Sequence, residues 1–164
     1  MSSRRSKKTI TIPFDPRPDG TPHEVTIQKL AGRHLRKADE ERDFALNEYV
    51  DKMGGDAYRE RVAAQHAKLA AERKASGEPA VIGDPVHAFD QLTLVKSGAT
   101  AWTFVDLEDG TPIPVTDAEV DELDAERLEF IAREVLRFTK PALFLDFDKR
   151  EDAKKKTESD SPIA

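Results

Sequence analysis

The sequence predicts an α+β domain, two β-hairpins at about residues 9–30 and 101–115 packed with three to five α-helices. Three observations predict it. Apolar residues alternate with polar ones around Ile10, Ile12, Val25 and Ile27, the period of a half-buried strand. The stretch from Ala101 to Thr139 passes from strand formers through the turn dipeptide Asp109-Gly110 into a helical repeat. Two long segments, 32–53 and 56–76, carry helix-forming residues and are parted by Gly54-Gly55.

At 164 residues one domain is expected, with enough chain to bury a core. Charged residues make up 35% against a typical quarter, so part of the chain is expected to be solvated helix or tail. The net charge of −6 weighs against general nucleic-acid binding. Cysteine is absent, which rules out disulfides and thiolate chemistry and fits a reducing compartment. No apolar run approaches the roughly 20 residues that span a bilayer. The opening MSSRRSKK has no apolar segment after its basic residues, so a cytoplasmic protein is expected.

In chain order, residues 1–8 read as a disordered basic tail. Arg4, Arg5, Lys7 and Lys8 without an aromatic neighbour offer salt-sensitive, nonspecific binding at most. The first strand ends at Pro13, and Asp15-Pro16 with Pro18-Asp19-Gly20 supplies turn chemistry before Val25 and Ile27 resume the alternation. Leu35, Ala38, Leu46, Tyr49, Val50 and Met53 then share a helix face over 32–53.

The segment 56–76 is alanine-rich, and its larger groups Tyr58, Val62 and Leu69 lie on one stripe. Little area can be buried along it, so it reads as a helix that projects from the core or rests on it lightly, followed by a linker to residue 83. A partner-binding helix is the other reading. Asp84-Pro85 is a cap with proline at the first helical position; Phe89, Leu92 and Val95 follow, with Gly98 as the end.

In the second hairpin Pro112 and Pro114 confine the returning arm to a sheet edge. Thr116 and Glu119 have capping-box spacing, and Asp124 offers a second start. Leu128, Ile131, Ala132, Val135, Leu136 and Phe138 give the apolar stripe. Acids lead it and Arg133, Arg137 and Lys140 close it, as the helix dipole prefers; Pro141 stops it. Residues 142–147 are apolar and either pack back on the core or leave Phe144 and Phe147 as a sticky patch. Residues 149–164 read as a disordered charged tail, which bounds the domain at 9–148.

Reactive constellations are missing from the sequence. His23, His34, His66 and His87 are scattered without HExxH or paired-ligand spacing, and neither a glycine-rich phosphate loop nor GxSxG occurs. The carboxylates from Asp117 to Glu126 are accounted for by capping and the dipole. The expectation is a non-enzymatic binding protein with no cofactor and no metal.

Three stretches carry a resemblance. Val25-Thr26-Ile27-Gln28-Lys29-Leu30-Ala31-Gly32-Arg33-His34-Leu35 resembles the strand and "KLSGREL-like" helix start of tail assembly chaperones of long-tailed, siphovirus-type bacteriophages. Phe89-Asp90-Gln91-Leu92-Thr93-Leu94-Val95-Lys96-Ser97-Gly98 with Trp102 is similar to their short helix, glycine and aromatic strand. Asp109-Gly110-Thr111-Pro112-Ile113-Pro114-Val115-Thr116, followed by Asp121-Glu122-Leu123, resembles their "DGxPIPxT" hairpin and terminal helix. The match runs over about residues 9–145 in element order; the alanine-rich helix departs from it.

The resemblance implies a protein that binds the tape measure protein, keeps it soluble, recruits tail tube protein around it and leaves before the virion is complete. It implies residence in the host cytoplasm and a longer form made by ribosomal frameshifting, for which Lys154-Lys155-Lys156 is the kind of run an A-rich slippery site encodes. Candidate client-binding residues are Trp102, Phe104, Phe144, Phe147, Tyr58, Val62 and Leu69, although burial in a core is the commoner fate of each type. The rival expectations are a phage structural protein (a head–tail connector or minor tail protein) and a small nucleic-acid-binding regulator using the Arg4–Lys8 arm.

Overall fold

The computed structural model describes residues 8–16, 20–77 and 83–159. The first hairpin forms over the predicted residues, but its first strand runs past Pro13 to Pro16, so Asp15-Pro16 lies in the strand and not in the turn. Strand β1 (Thr9–Pro16) pairs antiparallel with β2 (Pro22–Gln28), and β3 (Ala99–Trp102) adds to the other side of β2 in the order β1-β2-β3. The register sets Ile10 against Ile27, Ile12 against Val25, and Val25 against Trp102, so all five side chains share one face. Val25 and Ile27 are fully buried there. The other face carries threonines, with Thr11 and Thr26 hydroxyls 2.9 Å apart and the Thr100 hydroxyl donating to the Thr26 carbonyl. Pro13 lies in an edge strand, where its missing N–H costs no ladder bond. A bulge at Asp15, whose φ is +30°, bends that strand past Phe14. The proposed basic arm at Arg4, Arg5 and Lys7 lies outside the described residues.

The helices are α1 (Gly32–Met53), α2 (Gly55–Ser76), α3 (Gln91–Gly98), α4 (Asp117–Asp121), α5 (Ala125–Thr139) and α6 (Leu145–Ser159). Among the described residues these six exceed the three to five expected, for two local reasons. Thr116 accepts from the Glu119 amide and Asp124 from the Arg127 amide, so each start signal opens its own helix, α4 and then α5. The second extra helix is α6, which continues through residues 149–159 where the sequence predicts a disordered tail. Its first turns are tied down by Phe147, edge-on to Phe144, and by Arg137 donating to Asp148 at 3.0 Å. An anchored nucleus lets helix-forming lysine, glutamate and alanine propagate without burial.

The segment after Asp84 also divides. Asp84 accepts from the Val86 amide to start a 3-10 turn, Pro85–Ala88, and Asp90 then caps α3 through the Thr93 amide at 2.9 Å. The core lies between the sheet and α5, whose Ile131, Ala132, Val135 and Leu136 are fully buried. Helix α3 packs on α5 so closely that a Cβ on Gly98 would lie 2.4 Å from Val135 Cγ1. Pro141 ends α5 as predicted and opens a second 3-10 turn, Pro141–Phe144.

The second hairpin is reduced to its turn. Its first arm joins β2 as β3, and the return makes one isolated bridge, Val105 to Pro112. The turn itself is well formed: the Asp106 amide donates to the Thr111 carbonyl, the Gly110 amide to the Asp106 carbonyl, and Gly110 takes φ +70°. Pro112 and Pro114 lack the N–H groups a longer ladder requires, which is why the arm stops there.

Candidate functional site

The seven residues proposed as client-binding divide sharply by burial. Phe104 and Phe144 are sealed in the core, at 1% and 0% exposure, and cannot meet a partner. Phe104 is enclosed by His23 (ring centroids 5.2 Å apart), Trp102 (5.3 Å) and the Arg127 guanidinium (4.4 Å). Phe144 lies beneath the Arg137 guanidinium and against Phe147. Trp102 is half-buried, and its indole N–H donates to the Ile113 carbonyl at 2.7 Å, which fastens the turn to the sheet. Phe147 is half-buried on α6. The ring contacts join Trp102 to Phe104 and Phe144 to Phe147, and do not join one pair to the other.

Helix α2 is different. None of its 22 residues is buried. Tyr58 and Val62 are half-exposed and Leu69 is 37% exposed, on one stripe. Gly54 makes the corner between α1 and α2 with φ +87°, a conformation in which a side chain is strained. Tyr58 meets Tyr49 of α1 edge-on at 6.3 Å, and Arg61 donates to the Tyr49 hydroxyl. The stripe therefore continues from α1 around the corner. Of the α1 face predicted from sequence, Leu35 and Ala38 are buried in the core, while Leu46, Tyr49 and Met53 lie beyond it, half-exposed or exposed.

Among the described residues five exposed apolar groups were not anticipated. Leu107 (97%) and Val105 (40%) stand on the turn that follows β3; Phe44 (66%) lies on α1, Leu143 (44%) on the 3-10 turn after α5, and Leu145 (59%) opens α6. For Phe44 the signal was present: it falls on the opposite side of α1 from Leu35, Ala38, Leu46 and Met53. Leu107 sits between Asp106 and Glu108 within a turn, where nothing can cover it.

One cluster has metal-ligand composition. The ligand atoms of Asp84, His87 and Glu129 lie within 4.8 Å of one another. Arg133 already occupies the space they share, donating to Asp84 at 2.6 Å and to Glu129. Burial works to lower the Arg133 pKa, and the hydrogen bond and charge of Asp84, with those of Glu129, outweigh it and hold the group above its ordinary value. A cation there would have to displace a guanidinium that satisfies both carboxylates, so the cluster is an ion pair tying the Asp84 turn to α5. Among the described residues no helix is long and apolar enough to cross a membrane.

Comparison of the chain with protein-family models, with curated proteins and with solved structures found no match.

Proposed function

We propose that this chain is a tail assembly chaperone of long-tailed bacteriophages, a non-enzymatic protein that binds the tape measure protein, keeps it soluble and recruits tail tube subunits. The assignment rests on the resemblance, from which α2 departs; the observation that carries its binding part is α2, a 22-residue helix with no buried residue that presents Tyr58, Val62 and Leu69 in a row. A helix so placed adds nothing to the core and is suited to lying along another helix. The resemblance in the segments 25–35, 89–102 and 109–123 supports the assignment, and the α+β body supplies the anchor for the arm. On this reading the protein acts in the host cytoplasm, departs before the virion is complete, and Lys154-Lys155-Lys156 marks a site where a frameshift yields a longer form.

Co-expression with the tape measure protein tests it. The long protein should be soluble with this chain and insoluble without it, and Val62→Glu with Leu69→Glu should abolish the difference. Equal solubility in both cultures rejects the proposal.

A further inference from the structure

Between residues 39 and 53, α1 carries six acidic residues (Asp39, Glu40, Glu41, Asp43, Glu48, Asp51) against two basic ones, Arg42 and Lys52. Helix α2 has the reverse balance, five basic residues against Asp56, Glu60 and Glu72. Beside the apolar rows the difference is smaller: on α1 Arg42 also falls on the row, while Glu40, Glu41, Glu48 and Asp51 lie away from it. Asp39 and Asp43 run beside Leu46 at helical spacing. On α2, Arg59, His66 and Arg73 follow one side of the Tyr58–Val62–Leu69 row, and Arg61 and Lys68, with Glu72 among them, follow the other. Within one copy the contacts described between the two helices gather at the corner: Tyr49 with Tyr58, and Arg61 with the Tyr49 hydroxyl. Past the corner both rows stay open to solvent in part, and no described residue of the same copy buries α2.

We propose that the occupant of these rows is a second copy of the chain, α2 of each protomer lying along the distal half of the partner's α1. Complementary charge selects this pairing. Two α2 helices would set their mainly basic flanks together, whereas α1 against α2 opposes those flanks to Asp39 and Asp43. A two-fold axis uses both rows twice and closes the assembly, leaving no free end for further growth. The row from Tyr58 to Leu69 runs about 17 Å along α2, within the roughly 22 Å that residues 39–53 of a partner α1 can cover. The inference does not rest on the client reading; a client helix would compete for the same row.

The chain has no cysteine, so introduced ones report cleanly. Light scattering on the full chain at about 50 µM should give twice 18.3 kDa. Leu46→Cys and Leu69→Cys proteins, mixed and oxidised, should form a mixed disulfide dimer that neither forms alone. Arg59→Glu, Arg61→Glu and Lys68→Glu together should raise the dimer dissociation constant at least about 10-fold, and adding Asp39→Lys and Asp43→Lys should recover it. Circular dichroism confirms that each variant keeps its helix content. A monomeric mass at this concentration overturns the proposal. So does a disulfide formed by Leu69→Cys alone, which would place α2 on α2, and so does binding of a client by a chain that stays monomeric throughout. Loss of dimer with tape-measure solubilisation intact would overturn neither the client reading nor its separate test.

Discussion

Gly98 of α3 lies where its absent Cβ would come within 2.4 Å of Val135 Cγ1 on α5. Contact this close joins two helices whose facing residues, Leu94, Val95, Ala132 and Val135, are all buried and have no room to retreat. Gly98→Ala should therefore destabilise the fold by about 2–3 kcal/mol through overpacking. Urea unfolding measures it. Val135→Ala restores the space, so the double variant should be more stable than the sum of the two single losses predicts, and strict additivity would contradict the steric account.

The Arg133–Asp84 pair gives a second test. Asp84 is nearly buried, with a side chain 9% exposed, and it both accepts from Arg133 and caps the 3-10 turn. Asp84→Ala leaves Arg133 with Glu129 alone and should cost about 2 kcal/mol, below the range for a fully buried pair because Arg133 keeps some solvent access. Asp84→Ala with Arg133→Met should recover part of the loss in thermal unfolding. If Zn²⁺ or Mg²⁺ raised the melting temperature of wild type and not of Asp84→Ala, the cluster would be a metal site instead.

Burial separates Phe104 and Phe144 from the arm. Phe104→Ala and Phe144→Ala should each cost about 4 kcal/mol, because each empties a filled core position. In the monomer, at concentrations too low for a dimer, Val62→Glu and Leu69→Glu on α2 should change folding stability by no more than about 0.5 kcal/mol. Denaturation curves at that dilution decide between a core role and a surface role, and a large loss at Leu69 would show that α2 is folded against its own copy.

At the turn following β3, the Thr111 hydroxyl, and next its amide, donate to Asp109 and hold that carboxyl below its ordinary value of 3.8. The folded form thus favours the ionised group. Its contribution is complete above about pH 4, the ordinary range, and fades as pH falls through the lowered folded value. The Thr111 amide, followed by NMR between pH 6 and pH 2, should shift with a midpoint below 3.8 and become exchange-labile there. Asp109→Asn should remove the inflection; an unchanged midpoint in that variant would assign it to another carboxyl.

Much of this architecture is legible in the residues themselves. Helix α1 runs over the predicted span 32–53 because Gly54 and the apolar repeat agree, and Pro141 ends α5 where a missing N–H must. Pairing between strands was harder to read. Trp102 has no local feature that selects β2 over the arm at Ile113, and the choice depends on a contact 77 positions away, Trp102 against Val25. Of the proposed site, only the α2 row was legible, since alanine spacing limits burial. Phe104 and Phe144 looked like candidates by type, but whether an aromatic faces inward is decided by which helices close over it, which the sequence pattern around them does not record.

The borders of the sheet bear on how this protein can associate. On one side Pro13 and the kink at Asp15 interrupt β1, and on the other β3 ends after four residues. Neither side offers a long run of free main-chain groups onto which a foreign strand could zip. Recruitment of a neighbour must then proceed through side chains, and a crowded cell full of unfolded segments finds little purchase on the main chain here.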